Sequence, residues 1–337
     1  MALLEKCDKK LREAGLKDAS VATIMATLRV AMKISVEAGS GEPKSLGFLK
    51  NPAPFLEGWA GLSPVTQVNR ATNIVSVLKY CVDAKWGEAA LDLWRAEAAR
   101  LKEASEEVGP PEGEMSERQA DNWISMGEIS RIRGALRHEV DLIRSVYPKP
   151  PLPKPKWTTV LRWFILCLFT QQAPRRNMDY MVMFVRADTP EEEDEREKED
   201  RNWLCLEDRM FVFNNHKAVR KHGRQVFPIE DALMESIEEY LRLRPGRKSY
   251  PYPLLVTNEG QPLTSSGQIT RALNACFAET GKKVGSQMLR PIIAVAEGSE
   301  AKRKLEKDAA AFGHDVETHL KHYMPKTPRD EESLGEG

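Results

Sequence analysis

The stretch YPKPPLPKPKWTTVLRWFILCLFT, residues 147–170, sets the division of the chain. Pro148, Pro150, Pro151, Pro153 and Pro155 fall within ten residues. Such a density of proline is incompatible with helix or central strand and favours an extended, semi-stiff spacer. Trp157 to Thr170, immediately after it, is a dense apolar segment of helical length, expected to be buried. A chain of 337 residues is long enough for two domains, each with its own core. The expected organisation is a helical domain over 1–147, a linker over 148–156, a second domain over 157–326 and a polar tail over 327–337.

Upstream of the linker the pattern is helical. Ser20 to Ala38, Val65 to Val82, Gly87 to Ala104 and Glu117 to Val146 carry apolar residues at three-to-four spacing. In Val65 to Val82, the residues Val68, Ala71, Val75, Leu78 and Val82 line one expected core face. Between the last two segments, Glu106 to Arg118 contains Gly109, Pro110, Pro111 and Gly113, and Ser116 with Gln119 has the spacing of a capping box. Downstream, Tyr180 to Val185, Trp203 to Glu207, Met210 to Asn214 and Gln225 to Ile229 read as short strands. Helices are expected at Asp231 to Leu243, Ser266 to Thr280, Gln287 to Ala296 and Glu300 to Ala311. The fold class is therefore mainly α: an all-helical first domain, then a mixed α+β domain with one small antiparallel sheet.

Composition narrows the classes. Hydrophobic residues make up 41% and charged residues 30%, as in globular domains rather than disordered or fibrous chains. The strongest apolar run, Trp163 to Phe169, is too short to span a bilayer. The N-terminal MALLEKCDKKLREAG has no apolar signal core, so neither secretion nor a membrane partner is expected. Cys7, Cys81, Cys167, Cys205 and Cys276 form no CxxC pair, which disfavours a zinc ribbon or disulfide scaffold and suits a reducing compartment. They read as small buried hydrophobes. His314, His319 and His322 do not share one helix face, and no metal site is expected.

Fifty basic residues balance fifty acidic ones. The average hides a run, EEEDEREKED at 191–200, read as a solvated loop, whereas Arg201 to Asp330 holds 21 Lys+Arg against 16 Asp+Glu. That modest excess permits a phosphate-binding face without demanding one.

Four features of the second half follow in order. Arg176, at the end of the apolar helix, is followed three residues later by Asp179. Lys217 sits just after a strand in a basic turn with Arg220, Lys221 and Arg224. Arg290 lies among Met288, Leu289, Ile292 and Ile293, where a buried guanidinium needs a partner. Gly313-His314 precedes Tyr323 by nine residues, with Pro325 just beyond.

Taken together, these residues resemble the catalytic set of the tyrosine recombinase (phage integrase) superfamily, over about Trp157 to Pro325. The family's order is Arg, a hairpin Lys, His-x-x-Arg, then His or Trp, then Tyr. It is met here by Arg176, Lys217, Arg290, His314 and Tyr323, with Asp179 as the supporting acid. The departure is Gln287, which stands where the family has the first His of His-x-x-Arg. A glutamine donates a hydrogen bond but cannot exchange a proton.

The resemblance implies a site-specific recombinase or integrase that cleaves and rejoins double-stranded DNA through a 3′-phosphotyrosyl intermediate. Arg176 and Arg290 would clamp the non-bridging oxygens with charge-assisted hydrogen bonds. Tyr323 would be the nucleophile, His314 its helper, and Lys217 the proton donor to the leaving 5′ oxygen. Neither ATP nor a metal is needed, and no cofactor is expected. The helical first half would be the core-binding jaw, with Lys44, Lys50, Arg70, Lys79 and Lys85 as candidate phosphate contacts from charge alone. The implied partner state is a homo-oligomer, a tetramer on paired sites. The implied location is cytoplasmic or nuclear, wherever the target DNA lies. Two other readings stay open: a type IB topoisomerase-like relaxing enzyme, and a DNA-binding remnant that has lost catalysis.

Overall fold

The computed structural model describes residues 2–82, 86–108, 114–190, 201–246 and 249–311. Lys85, the acidic run 191–200, His314, Tyr323 and the 327–337 tail lie outside the described residues. The chain divides into two compact units, residues 1–116 and 117–337.

The first unit is helical. Its elements are α1 (Ala2–Glu13), α2 (Asp18–Ser35) ending in a π-helical turn, a 3-10 turn (Leu46–Lys50), α3 (Ala53–Trp59), α4 (Pro64–Cys81) and α5 (Trp86–Glu107). Helix α4 starts where Ser63 accepts from the Thr66 N–H and Pro64 occupies the first turn, whose N–H groups need no helical partner. Its buried stripe is Ala71, Ile74, Val77, Leu78 and Cys81, rotated from the expected one: Val68, Val75 and Val82 are only half-buried. The core closes around Phe55, Trp59 and Trp94, with ring centroids 5.7–6.2 Å apart. The Trp94 indole N–H donates to the Leu49 carbonyl at 2.7 Å, satisfying a buried donor. The stretch Asp18–Gly39 is long and apolar enough to cross a membrane by length and composition, with mean hydropathy 1.4. Within the unit its face of Val21, Ile24, Met25, Leu28 and Ala31 is core.

The second unit starts at α6 (Glu117–Asn122) and α7 (Met126–Val146). The expected single helix over Glu117 to Val146 is thus two. The chain breaks at Trp123-Ile124-Ser125, where Ser125 caps α7 by accepting from the Glu128 N–H at 3.1 Å. The unit boundary also differs from the expected one at the proline-rich linker. Ile129, Ile132, Val140 and Ile143 of α7 are buried in the same core as α8 (Lys154–Thr170). The prolines at 148–155 therefore turn the chain between two packed helices and start the second, with Pro153 at its N-cap. They do not separate the two units.

Helix α8 is buried continuously from Trp163 to Thr170, which is why its sequence has no polar face. Around it pack α7, α11 (Asp231–Leu243), α12 (Ser266–Cys276) and α13 (Ser286–Ala311). Two shorter helices, α9 (Asn177–Met181) and α10 (Val219–His222), precede these last three. The sheet has order β4-β3-β2-β1-β5, with β1 (Met183–Arg186), β2 (Asn202–Cys205), β3 (Met210–Phe213), β4 (Gln225–Pro228) and β5 (Tyr252–Pro253). It is mixed rather than antiparallel: β1 runs parallel to β2, and the remaining pairs are antiparallel. Tyr180 belongs to α9 and not to the first strand. The helices expected at Gln287 to Ala296 and Glu300 to Ala311 form one, which passes through Pro291. Four of the five cysteines are buried, Cys276 is half-buried, and none forms a disulfide.

Candidate phosphate-binding site

Beyond Thr170 the chain leaves α8 through Gln171 to Arg175 and re-enters helix at Arg176, the extended N-cap of α9. Asp179, three residues on, accepts from the Arg176 backbone N–H at 3.3 Å, the acidic half of a capping box. The carboxylate of Asp179 also ion-pairs with the Arg175 guanidinium at 3.3 Å. Asp179 therefore positions the backbone of Arg176 and neutralises its neighbour, while the Arg176 guanidinium pairs with no described residue. Next along, the Asn177 side chain donates to Thr270 Oγ1 at 2.9 Å and to the Ser266 carbonyl at 3.2 Å, fastening α9 to α12. The start of α12 is held by Ser265 and Gln268. The Ser265 hydroxyl accepts from the Gly267 N–H, and Gln268 Oε1 accepts from the Thr264 and Ser265 N–H groups.

A second fastening brings in α6. The Lys283 backbone N–H donates to Asn122 Oδ1 at 2.6 Å, and the Lys282 ammonium donates to the Trp123 carbonyl. Helix α13 then starts at Ser286, burying Leu289, Ile292 and Ile293 while Gln287 and Arg290 stay exposed. The expectation of a buried, partnered Arg290 is corrected here. Residue 290 is one helical step of about 100° from 289, off the apolar stripe.

These elements enclose a cavity of about 700 Å³. Arg176 lines the same space as Gln287 and Arg290, which lie more than a hundred residues further along the sequence. Arg118 and Lys283 line it too. Among the described residues no carboxylate lines the cavity, and the side chains of its four cations make no ion pair or hydrogen bond with any described residue. Several other arginines of the unit are paired, by contrast: Arg144 with Glu239, Arg209 with Asp231, Arg137 with Asp141. An uncompensated cluster of guanidinium and ammonium groups beside amide and hydroxyl donors attracts an anion, and a phosphate fits the fork geometry of arginine.

Lys217 is exposed on the β3–β4 connection and is not among the cavity-lining residues. The residues around it are fixed. His216 Nε2 is 2.9 Å from the Gly223 carbonyl oxygen, and Asn214 donates to the Arg201 carbonyl at 3.3 Å. The fully buried Asn202 accepts from the Asn215 N–H and donates to the Asp179 carbonyl at 2.7 Å, tying the hairpin base to α9. Arg220 and Lys221 are exposed on α10, whereas Arg224 donates to the Pro190 carbonyl at 2.9 Å.

In the first unit Lys44 is exposed. Lys50, Arg70 and Lys79 lie over the rings of Trp86, Trp59 and Tyr80 at 5.2, 5.7 and 4.9 Å. The ring contacts account for these three cations without a ligand. Among the described residues no three His, Cys, Asp or Glu side chains are grouped to hold a metal ion.

Six of the seven tyrosines are described, and none of them lines the cavity. Tyr180 and Tyr240 are fully buried, donating to the Leu168 and Leu254 carbonyls at 2.9 Å, and burial pushes both phenols up. Sequence reasoning missed Arg118 and Lys283. They sit in unremarkable polar segments and reach the site through a contact between residues 161 positions apart.

No family model matches the chain, and no curated protein matches it. Among solved structures, the crystal structure of XerA recombinase is similar over 85% of this chain and 80% of that one, with 13% identity and a TM-score of 0.32. A likeness of that degree carries no argument about activity.

Proposed function

We propose that the protein is a DNA strand transferase of the tyrosine recombinase type. The observation that carries the reading is the 700 Å³ cavity on which Arg176, Gln287 and Arg290 converge with no carboxylate among its described lining. Attack on a phosphodiester builds negative charge on its non-bridging oxygens, and uncompensated guanidiniums preorganised around that charge stabilise it most. Gln287 contributes a hydrogen bond without a proton to give.

In this reading the Tyr323 hydroxyl attacks phosphorus and the 5′ oxygen leaves, taking a proton from Lys217. A 3′-phosphotyrosyl bond replaces the broken phosphodiester, so rejoining by the reverse attack needs no external energy. His314 assists Tyr323 in losing its proton. The chain acts as a homo-oligomer on paired sites in whichever compartment holds its DNA. Residue 323 is taken as the nucleophile from the resemblance; none of the other six tyrosines, all described, lines the cavity, and Tyr180 and Tyr240 are buried.

A nicked DNA substrate that traps the intermediate tests the proposal. Wild-type protein is expected to form a covalent adduct, Tyr323→Phe none. Arg176→Ala and Arg290→Ala should each lower its rate of formation about 100- to 1,000-fold. Adduct formation undiminished in Tyr323→Phe would overturn the assignment of the nucleophile. Lack of any adduct on a bound cognate site would leave a DNA-binding protein that has lost catalysis, the reading that Gln287 favours.

A further inference from the structure

Charge balance in the cavity goes beyond one phosphate. A phosphodiester carries a single negative charge, yet four cations without described partners face this space. Volume points the same way, since pockets of about 300–1,000 Å³ typically enclose a drug-sized molecule rather than one small ion. The cations also fall into two groups by their supports. Arg176 and Arg290 stand on the N-terminal ends of α9 and α13. Arg118 and Lys283 stand together on the α6 side, because Asn122 accepts from the Lys283 N–H while its own amide donates to the Arg118 carbonyl at 2.8 Å.

We propose that Arg118 and Lys283 form a second phosphate subsite, which holds a neighbouring phosphodiester of the same strand beside the one between Arg176 and Arg290. The ligand class is a nucleic-acid strand, which presents one charge per about 3.4 Å along its length and so matches several cations lining one cavity. The inference rests on the strand-transfer reading for the identity of the first phosphate, and its test is independent of cleavage. Asn122 is the positioning residue of this subsite, setting the spacing between Arg118 and Lys283.

The experiment measures binding of a labelled DNA duplex against potassium chloride concentration, for wild type and for Arg118→Gln/Lys283→Gln. Both side chains are exposed, and thermal unfolding checks that the fold is retained. Each phosphate that is no longer neutralised should reduce the slope of log K against log salt by about 0.9. The double variant is therefore expected to fall by one to two such steps, equally on unrelated sequences. Arg118→Lys/Lys283→Arg should restore the slope. Arg242→Gln, on the exposed face of α11 outside the cavity, should leave it unchanged.

An unchanged slope in a folded double variant would overturn the subsite. So would a loss confined to one sequence, which signals base contact, or tighter binding of a nucleoside triphosphate than of the duplex. Absence of a covalent adduct together with the reduced slope would overturn strand transfer alone and leave the subsite standing.

Discussion

The Arg175 guanidinium lies 4.3 Å from the Phe213 ring centroid and 5.6 Å from that of Phe227, donates to Gln225 at 2.9 Å and ion-pairs with Asp179. One side chain thus fastens β3 and β4 to the turn that carries Arg176. The Asp179 side chain is only 3% exposed, so removing its cation leaves a buried carboxylate with a backbone N–H as its remaining described partner. Breaking a fully buried pair costs about 3–5 kcal/mol. Arg175 is 23% exposed, which reduces the expected loss for Arg175→Met to about 2 kcal/mol. Urea denaturation reads this directly, and a change within about 0.5 kcal/mol, the usual range for neutral surface substitutions, would refute it. The sequence distinguishes Arg176 from Arg175 only through spacing to Asp179. That spacing reflects the capping of Arg176 by its backbone, while the charge interaction goes to Arg175. Arg118 and Lys283 are illegible in the sequence for a different reason: nothing local marks them, and their proximity is a property of tertiary packing.

Helix boundaries follow capping chemistry and periodicity, and where these are plain in the sequence the elements match it. Asp231–Leu243 has the bounds expected for it, and α8 extends only one turn upstream of its expected start. The break between α6 and α7 is carried by Ser125-Met126-Gly127-Glu128, a capping signature inside a segment whose periodicity continues across it. Ser125→Ala removes the acceptor for the Glu128 N–H and is expected to lower stability by about 1 kcal/mol, within the usual 0.5–2 range. Ser125→Asp should retain most of it, and equal losses in the two variants, measured by thermal unfolding, would argue against a capping role. The sheet illustrates the opposite case. The pairing of β2 with β3 is readable because Glu207-Asp208-Arg209 makes a tight turn between them. The parallel pairing of β1 with β2 spans residues 187–201, a connection whose chemistry specifies no register. The two-residue β5 is too short to leave a period of its own.

At the scale of the whole chain, net neutrality conceals a local imbalance: acidic residues are concentrated at 191–200, while the cavity collects cations without a carboxylate among its described lining residues. The same lesson applies to domain boundaries, where composition and packing disagree. Proline density places the break near residue 150, but Ile129, Ile132, Val140 and Ile143 of α7 complete the core around α8. Arg144 also pairs at 3.0 Å with Glu239, whose side chain is 5% exposed. Burying an aliphatic side chain is worth about 1.5–3 kcal/mol. Loss of four therefore removes about 6–12 kcal/mol, comparable to the 5–15 kcal/mol that separates most folded domains from their unfolded chains. A chain starting at Glu117 should unfold in one cooperative transition on heating, whereas one starting at Pro148 should show none and should bind a hydrophobic dye. Equal, cooperative melting of the two would mean that α7 is dispensable to the second core, and that the proline-rich segment is a true boundary after all.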